Sequence, residues 1–432
     1  VNVVPEQRPS RPLLLFCAAF AVVAGAWLAW WWRDLPTLLH MDSLGYYKSA
    51  VNLARHGVFS EASAPDLHPI SFRTPGYPAF LAVFFFVFGA GAYIPAILNL
   101  ILLGATGIGV ARLARKLGAS EPVAWLAAAL VSMHPMSLYW AVQVYTDTLF
   151  VALLVWALVG VIEGIRAPVS GCWLIAGAAC AALLPLVRPL GIYLLPLFGI
   201  PLIAGNLGVR RWLPLVVVLA LPTGAWMARN RAQFGEFYFC EIGAWNLRYA
   251  HMNAVIAEEE NLNYSEMWAN TFKETYPLIY RPQVSPGTLA KQWQSDAIAI
   301  ARKHPGATVR IALRNLRPLF APGVTDWGVH KGMPYDGVTK PNLAALIGLF
   351  EGALLLAAGV LAIRAATLKR GGERRALLYV AVVCGALIAL SLPAGYMTAP
   401  RFRLPIWPLI VVIAAAGFAP RVTSEPGGPA QG

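Results

Sequence analysis

Apolar residues fall in long runs along this chain, parted by short polar loops. Eleven runs stand out: 13–32, 76–90, 93–111, 122–136, 145–163, 172–187, 189–205, 213–228, 342–363, 376–393 and 403–418. About 20 apolar residues span a bilayer core as a helix, and backbone in lipid must satisfy its own hydrogen bonds, so these runs predict membrane helices. The stretch 229–341 is mixed polar and aromatic, and only there is a folded domain outside the membrane expected. Residues 421–432, rich in Gly, Pro and Ser, read as a disordered tail.

Two other stretches alternate with helical period. In 43–56, Leu44, Tyr47, Val51 and Ala54 make one stripe, opposed by Lys48, Asn52 and Arg55. In 306–320, Val309, Leu313 and Leu316 share a face, and Arg310, Arg314 and Arg317 recur in step. Both patterns fit helices lying at headgroup level; packing on the protein fits the first equally well, whereas three arginines in step favour the headgroup reading for the second.

Charge orients the spans. Arg8 and Arg11 place the N-terminus inside, and the first run ends in Trp30-Trp31-Trp32-Arg33 with no small-residue cleavage site, so it reads as a retained first span. Further inside markers are Arg112-Arg115-Lys116, Arg210-Arg211, and the group Arg364, Lys369, Arg370, Arg374 and Arg375. All three groups fall inside if 76–111, broken at Gly89-Ala-Gly-Ala92, makes a single net crossing. About ten crossings result. The loop around Asp42, residues 137–144 and residues 229–341 then share the outer face. The other broken run, 172–205, is the less consistent choice, because it leaves Arg112–Lys116 outside.

Composition agrees. The chain is 58% hydrophobic and 13% charged, against about 25% charged in a soluble domain. The net charge of +13 does not point to nucleic acid, since the basic residues gather at the ends of apolar runs. Some of them are expected to contact lipid phosphates. Five cysteines, four of them inside apolar runs, form no disulfide or zinc pattern. No Walker A, Rossmann glycine pattern or paired metal-ligand spacing is present, so no cofactor is expected and no ligand set argues for a metal.

Candidate chemistry lies in the outer loops. Asp42 follows the first span by about ten residues; it serves either as a base toward a hydroxyl or as the N-cap of the helix starting near Ser43. Asp147, at the outer start of a span, serves either to orient an acceptor or help hold a phosphate through a basic partner, or, with Thr146, to cap the helix over 148–163. Arg73, in Arg-Thr-Pro-Gly-Tyr-Pro, is placed to bind a phosphodiester, to pair with Asp42, or to reach the headgroups. Tyr46 and Tyr47 flank Asp42. Arg188, Arg229, Arg231, Arg248, Arg401 and Arg403 are the other outer cations, and two or three of them are expected on lipid phosphate.

The order of these motifs is a recognisable one. Asp42-x-x-x-Tyr46-Tyr47, Ala54-Arg-His-Gly57 and Arg73-Thr-Pro-Gly-Tyr-Pro-Ala-Phe-Leu81 come first. Trp226-Met-Ala-Arg-Asn230 with Phe234-Gly235, Ala301-Arg-Lys-His-Pro-Gly306 and Arg401-Phe-Arg-Leu-Pro405 follow. Together they resemble bacterial GT-C glycosyltransferases, closest to the group of protein O-mannosyltransferases, lipid A aminoarabinose transferases and rhizobial galacturonosyltransferases. The resemblance implies an all-α, GT-C-like bundle of about ten transmembrane helices, with interfacial helices in the first outer loop and a mostly helical outer domain. It implies a transmembrane module over 1–228 whose first outer loop, 33–75, is catalytic. A loop domain over 229–341 and C-terminal spans over 342–420 follow. It further implies an inverting transfer from a polyprenyl-phosphate sugar on the outer face of a bacterial inner membrane. Asp42 would be the base, Asp147 the second acidic residue, and Arg229 a phosphate ligand; Arg73, Tyr46, Tyr47, Arg248, Arg401 and Arg403 complete the expected substrate site. A single Asp stands where protein mannosyltransferases carry Asp-Glu, and no large C-terminal soluble domain follows. Both departures favour a glycolipid or polysaccharide acceptor over a protein. A polyprenyl phosphate leaves without protonation, so one base suffices, unlike the two carboxylates of a glycosidase. The competing reading is a transporter or flippase of a lipid-linked saccharide, which expects broken helices, mid-membrane charges and inverted repeats; the two halves of this chain show no such likeness.

Overall fold

The computed structural model describes residues 10–39, 41–166, 171–204, 209–280, 284–320, 341–394 and 399–418, all helix, turn and loop with no strand among them. The expected tail at 421–432, the inside marker Arg8 and the last part of the outer domain, 321–340, lie outside these residues. Each of the eleven apolar runs corresponds to helix. In chain order the helices are α1 Arg11–Trp31, α2 Met41–His56, α3 Gly76–Phe88, α4 Tyr93–Lys116, α5 Glu121–Ser132, α6 Pro135–Ala141 and α7 Asp147–Arg166. Next come α8 Gly171–Val187, α9 Leu195–Ala204, α10 Val209–Phe234, α11 Ile242–Trp245, α12 Met252–Glu259, α13 Tyr264–Tyr280 and α14 Pro286–Lys303. The last six are α15 Pro305–Arg314, α16 Leu316–Phe320, α17 Pro341–Leu368, α18 Gly371–Ser391, α19 Ala399–Phe402 and α20 Trp407–Gly417. Five helices are long and apolar enough to cross a bilayer, and six shorter apolar helices or helical segments accompany them. The protein is a polytopic membrane protein.

One buried core runs through α4, α5, α7, α8 and α20. Of the apolar window of α7, 83% is buried, against 17% for α1; α7 is a central helix and α1 faces lipid. Helix α7 meets α8 without a side-chain layer between them: a Cβ on Gly160 would lie 2.5 Å from the Cα of Gly177. Close approach through small residues is how membrane helices gain dispersion contacts, because lipid tails remove the hydrophobic incentive.

Charged groups sort to two ends of the bundle. At one end Arg112 and Lys116 of α4 hold Glu163 of α7 at 2.9 and 2.7 Å. There too Lys369 donates to the Gly118 carbonyl at 3.0 Å and pairs with Glu373. These are the expected inside markers. At the other end lie Asp42, the start of α7, the end of α8 and the start of the last helix. Both ends of α3 belong to this second end. Gly76 presses on the α8 backbone, where a Cβ would sit 2.6 Å from the Leu186 carbonyl. Beyond Phe88, Tyr93 stacks on Trp32 at 5.0 Å, at the C-terminal end of α1. At 13 residues, α3 is about 20 Å long, short of the hydrocarbon thickness. Both observations fit one net crossing for 76–111.

The two amphipathic stretches pack differently from their stripes. In α2 the buried positions are small or polar: Ser43, Gly45, Ser49, Ala50 and Asn52. Asn52, placed by pattern on the polar face, turns inward and donates to the carbonyls of Ser60 and Ala62 at 2.7 and 2.9 Å. Local carbonyl satisfaction outweighs hydropathy there. In α15 the buried face is Ala307 and Ile311, while Val309 and Leu313 stay exposed. Arg310 and Arg314 meet Glu258 and Glu259 of α12 rather than lipid. The outer domain thus has its own small core around α12, α14 and α15. A second cluster, Trp245, Leu289 and Trp293, closes over Phe72 of the first loop.

Candidate functional site

Six charged side chains from distant parts of the chain meet at the end of the bundle opposite Glu163, in alternating sign. Asp42 lies in the first turn of α2. Its Oδ1 accepts from Arg73 Nη2 at 2.8 Å, and its Oδ2 lies 3.7 Å from Arg401 Nη1. Arg73 also donates through Nε to Glu61 Oε1 at 3.0 Å. Arg401 donates through Nε to Asp147 Oδ2 at 2.7 Å, and Arg188 closes the row on Asp147 Oδ1. The order is Glu61, Arg73, Asp42, Arg401, Asp147, Arg188.

Local structure puts each group in place. Pro75 and the tight fit of Gly76 on α8 fix the turn that carries Arg73. Asp42 and Asp147 both stand in the first turn of a helix, where the dipole favours a carboxylate; both direct their oxygens to arginines. Pro189 ends α8 and leaves Arg188 at the turn. Aromatic rings surround the guanidiniums: Arg73 lies 5.0 Å over Tyr46, Arg401 4.3 Å over Tyr145, and Arg188 5.1 Å over Phe402. Buried charges cost several kcal/mol each unless paired, and here no carboxylate faces another directly.

Exposure separates the two aspartates. The Asp42 side chain is 44% exposed, and that of Asp147 is 0% exposed. Burial works against the charge of Asp42, but Arg73 and then Arg401 outweigh it and hold the carboxyl below its usual range. Asp42 is therefore an ionised carboxylate at the open edge of the row, and Asp147 an ionic anchor inside it.

The other expected residues are spread around this row. Tyr46 touches it through Arg73, and its ring meets Tyr77 and Tyr145 edge-on. Tyr47 turns away to pack on Phe85 of α3. Arg229 donates to the Ile70 carbonyl at 2.9 Å and to Asn230 at 3.0 Å, with its guanidinium over Trp226; it braces the loop that carries Arg73. Arg248 donates to Asn253 at 2.9 Å inside the outer domain. Arg403 is buried just past the short helix of Arg401. Neither Arg229 nor Arg248 is brought to Asp42.

Two members of the site carried no sequence signal. Glu61 sits in an unpatterned loop, and its second partner, the hydroxyl of Tyr280, donates at 2.7 Å from 219 positions away. Tyr145 precedes α7 and is recognisable only through Arg401. Arg188 did have a signal, an arginine that breaks the apolar stretch 172–205. Nearby, Glu241 is buried beside Ser71; burial pushes its carboxyl up to about 7, against a hydrogen bond that Ser71 donates at 3.0 Å. Among the described residues no group of three or more His, Cys, Asp or Glu is placed to hold a metal ion.

No protein-family model and no curated protein matches the chain. Solved structures do. The archaeal oligosaccharyltransferase AglB from Archaeoglobus fulgidus, in complex with an inhibitory peptide and a dolichol-phosphate, is similar at 14% identity and a TM-score of 0.48, covering 93% of this chain and 50% of that one. This chain thus spans half the length of AglB. ArnT from Cupriavidus metallidurans bound to undecaprenyl phosphate is similar at 15% identity and a TM-score of 0.42, covering 94% of this chain and 77% of that one. ArnT in the apo state gives 14% and 0.39 over the same shares.

Proposed function

We propose that this protein is an inverting glycosyltransferase that moves a sugar from a polyprenyl-phosphate donor to a hydroxyl of a cell-envelope glycan or glycolipid, on the outer face of a bacterial inner membrane. The observation that carries the reading is the exposed Asp42 carboxylate held between two arginines at the outer end of a membrane bundle. A lone base, open to solvent, beside cations with aromatic walls, suits one reaction class well: attack of an alcohol on a sugar whose leaving group is a phosphate.

In this reading Asp42 takes the proton from the acceptor hydroxyl. The acceptor oxygen bonds to the anomeric carbon from the face opposite the phosphate. The carbon–oxygen bond to the phosphate breaks, and polyprenyl phosphate departs with the electron pair. Arg73 and Arg401 stabilise the charge that develops on it. The same two guanidiniums lower the basicity of Asp42 at rest. An arriving phosphate competes for them, loosens their hold, and raises that basicity when the acceptor is present. Asp147 and Arg188 act as positioning residues that fix Arg401, and Glu61 with Tyr280 does the same for Arg73.

The donor class is tested with purified protein in nanodiscs. Polyprenyl-phosphate sugar is expected to be consumed with release of polyprenyl phosphate when an envelope glycan extract is added, and nucleotide sugar is expected to be left intact. Turnover of nucleotide sugar alone would end this reading.

A further inference from the structure

Arg73 stands in the loop 57–75, not in a helix, so its reach to Asp42 depends on what holds the residues just before it. Contacts from the chain between the end of α10 and the start of α11 do so. Arg229 donates to the Ile70 carbonyl at 2.9 Å, and the Ile242 amide donates to the Phe72 carbonyl at 3.2 Å. Between them, Ser71 Oγ meets the Tyr238 hydroxyl and donates to Glu241 Oε1 at 3.0 Å. The holding segment is itself fixed to α10. Asn230 donates to the Tyr238 and Phe239 carbonyls at 3.1 and 2.9 Å, and the Trp226 indole donates to Phe239 at 2.8 Å.

The side-chain part of this clasp is buried: Ser71 is 1% exposed, Glu241 4% and Tyr238 8%. Ser71 has one hydroxyl proton and gives it to Glu241, so Tyr238 must donate to Ser71. The bonds therefore run in one direction, from Tyr238 through Ser71 to Glu241. The second oxygen of Glu241 is buried without a hydrogen-bond partner. Arg229, Tyr238 and Cys240 are the charged and titratable groups that face this carboxyl. Arg229 spends its donors on Ile70 and Asn230 instead of pairing with it. A buried carboxyl with one oxygen unused is costly. Packing alone gives no reason to keep it there, whereas ordering Ser71, two residues before Arg73, does.

We infer that Glu241 is a positioning residue for the transfer: through Ser71 it fixes the segment that presents Arg73 to Asp42 and to the donor phosphate. The inference rests on the transferase reading and adds to it a residue that touches neither Asp42 nor substrate. Arg73 has two tasks there, so a loosened Arg73 should show twice. It would hold phosphate less well. It would also let the Asp42 carboxyl rise, because burial works against that charge and Arg73 outweighs it.

The test uses full-length protein in nanodiscs. Undecaprenyl phosphate is the binding probe, read by native mass spectrometry, and transfer is read as kcat/KM against pH. Glu241→Ala is expected to weaken probe binding and lower kcat/KM, each about tenfold, and to move the acid limb to higher pH, as Arg73→Gln does. Ser71→Ala breaks the clasp at its other end and should change all three in the same direction, which keeps the comparison open if Glu241→Ala does not fold. Glu241→Gln keeps an acceptor for Ser71 and should recover most of the loss. Because Glu241 acts through Arg73, adding Glu241→Ala to Arg73→Gln should cost less than about twofold more. An equal loss in both backgrounds with an unmoved acid limb would make Glu241 merely structural and overturn the inference. Unchanged binding and kcat/KM in both Glu241→Ala and Ser71→Ala would overturn it too. If Glu241→Ala weakens probe binding only when Arg73 is present, and wild type transfers no sugar, the positioning role stands and the transferase reading falls.

Discussion

Asp42 and Asp147 looked alike in sequence, each an acidic residue at a predicted helix start, each open to a capping role. Their difference is tertiary: the arginines that claim them come from residues 73, 188 and 401, and only Asp42 keeps an exposed edge. No local pattern carries that information, and Glu61 was invisible for the same reason. The pKa of Asp42 makes a prediction. With its carboxyl held below 3.8, the acid limb of kcat/KM, which reports the free enzyme, lies below that pH, and any stability from its pairing is present above 3.8 and lost only as pH falls through the lowered value. Arg73→Gln removes the larger attraction and leaves burial, so the acid limb should move to higher pH; a pH–rate profile of the variant that keeps the wild-type limb would contradict this. Glu241 has the opposite sign. Its carboxyl is raised from 4.5 to about 7, so stability is full below 4.5 and falls as pH rises toward 7, by on the order of 3 kcal/mol. Melting curves should show wild type losing stability over that window, with Glu241→Gln nearly flat across it.

At the scale of elements, all eleven apolar runs were readable because a helix buried in lipid or in an apolar core leaves an unmixed signature, whether or not, as with α3, it is long enough to span. Short amphipathic helices were harder. The stripe of α15 faces outward while Ile311 packs inward, because Glu258 and Glu259 of α12 capture its arginines. Helix contact through glycine was not legible either, since Gly160 and Gly177 look like any small residues until α7 and α8 are seen together. Gly160→Ala places a methyl 2.5 Å from the Gly177 Cα and should cost about 1–3 kcal/mol, the usual penalty of overpacking. Gly359→Ala, where a Cβ meets nothing within 4 Å, should leave stability unchanged or raise it by about 0.5–1 kcal/mol. Equal melting temperatures for the two variants would contradict the close α7–α8 packing.

For the whole molecule, charge alone ordered the two ends, and the structure puts Arg112, Lys116, Glu163 and Lys369 at one end and the Asp42 row at the other. That polarity predicts labelling in intact cells. An impermeant thiol reagent should reach Lys48→Cys and Gln292→Cys above the wild-type background, and reach Arg374→Cys only after permeabilisation; the reverse pattern would invert the topology. The site itself was partly legible: Asp42, Arg73, Arg401, Asp147 and Tyr46 converge, whereas Arg229 and Arg248 brace the loops around them. The central claim is that Asp42 is the base. The most direct measurement is single-turnover transfer by Asp42→Asn, with polyprenyl-phosphate sugar binding measured on the same preparation. The account predicts donor affinity within a few-fold of wild type and transfer slowed at least about 10²-fold, the usual contribution of a general base. Transfer at the wild-type rate with normal donor binding would contradict it.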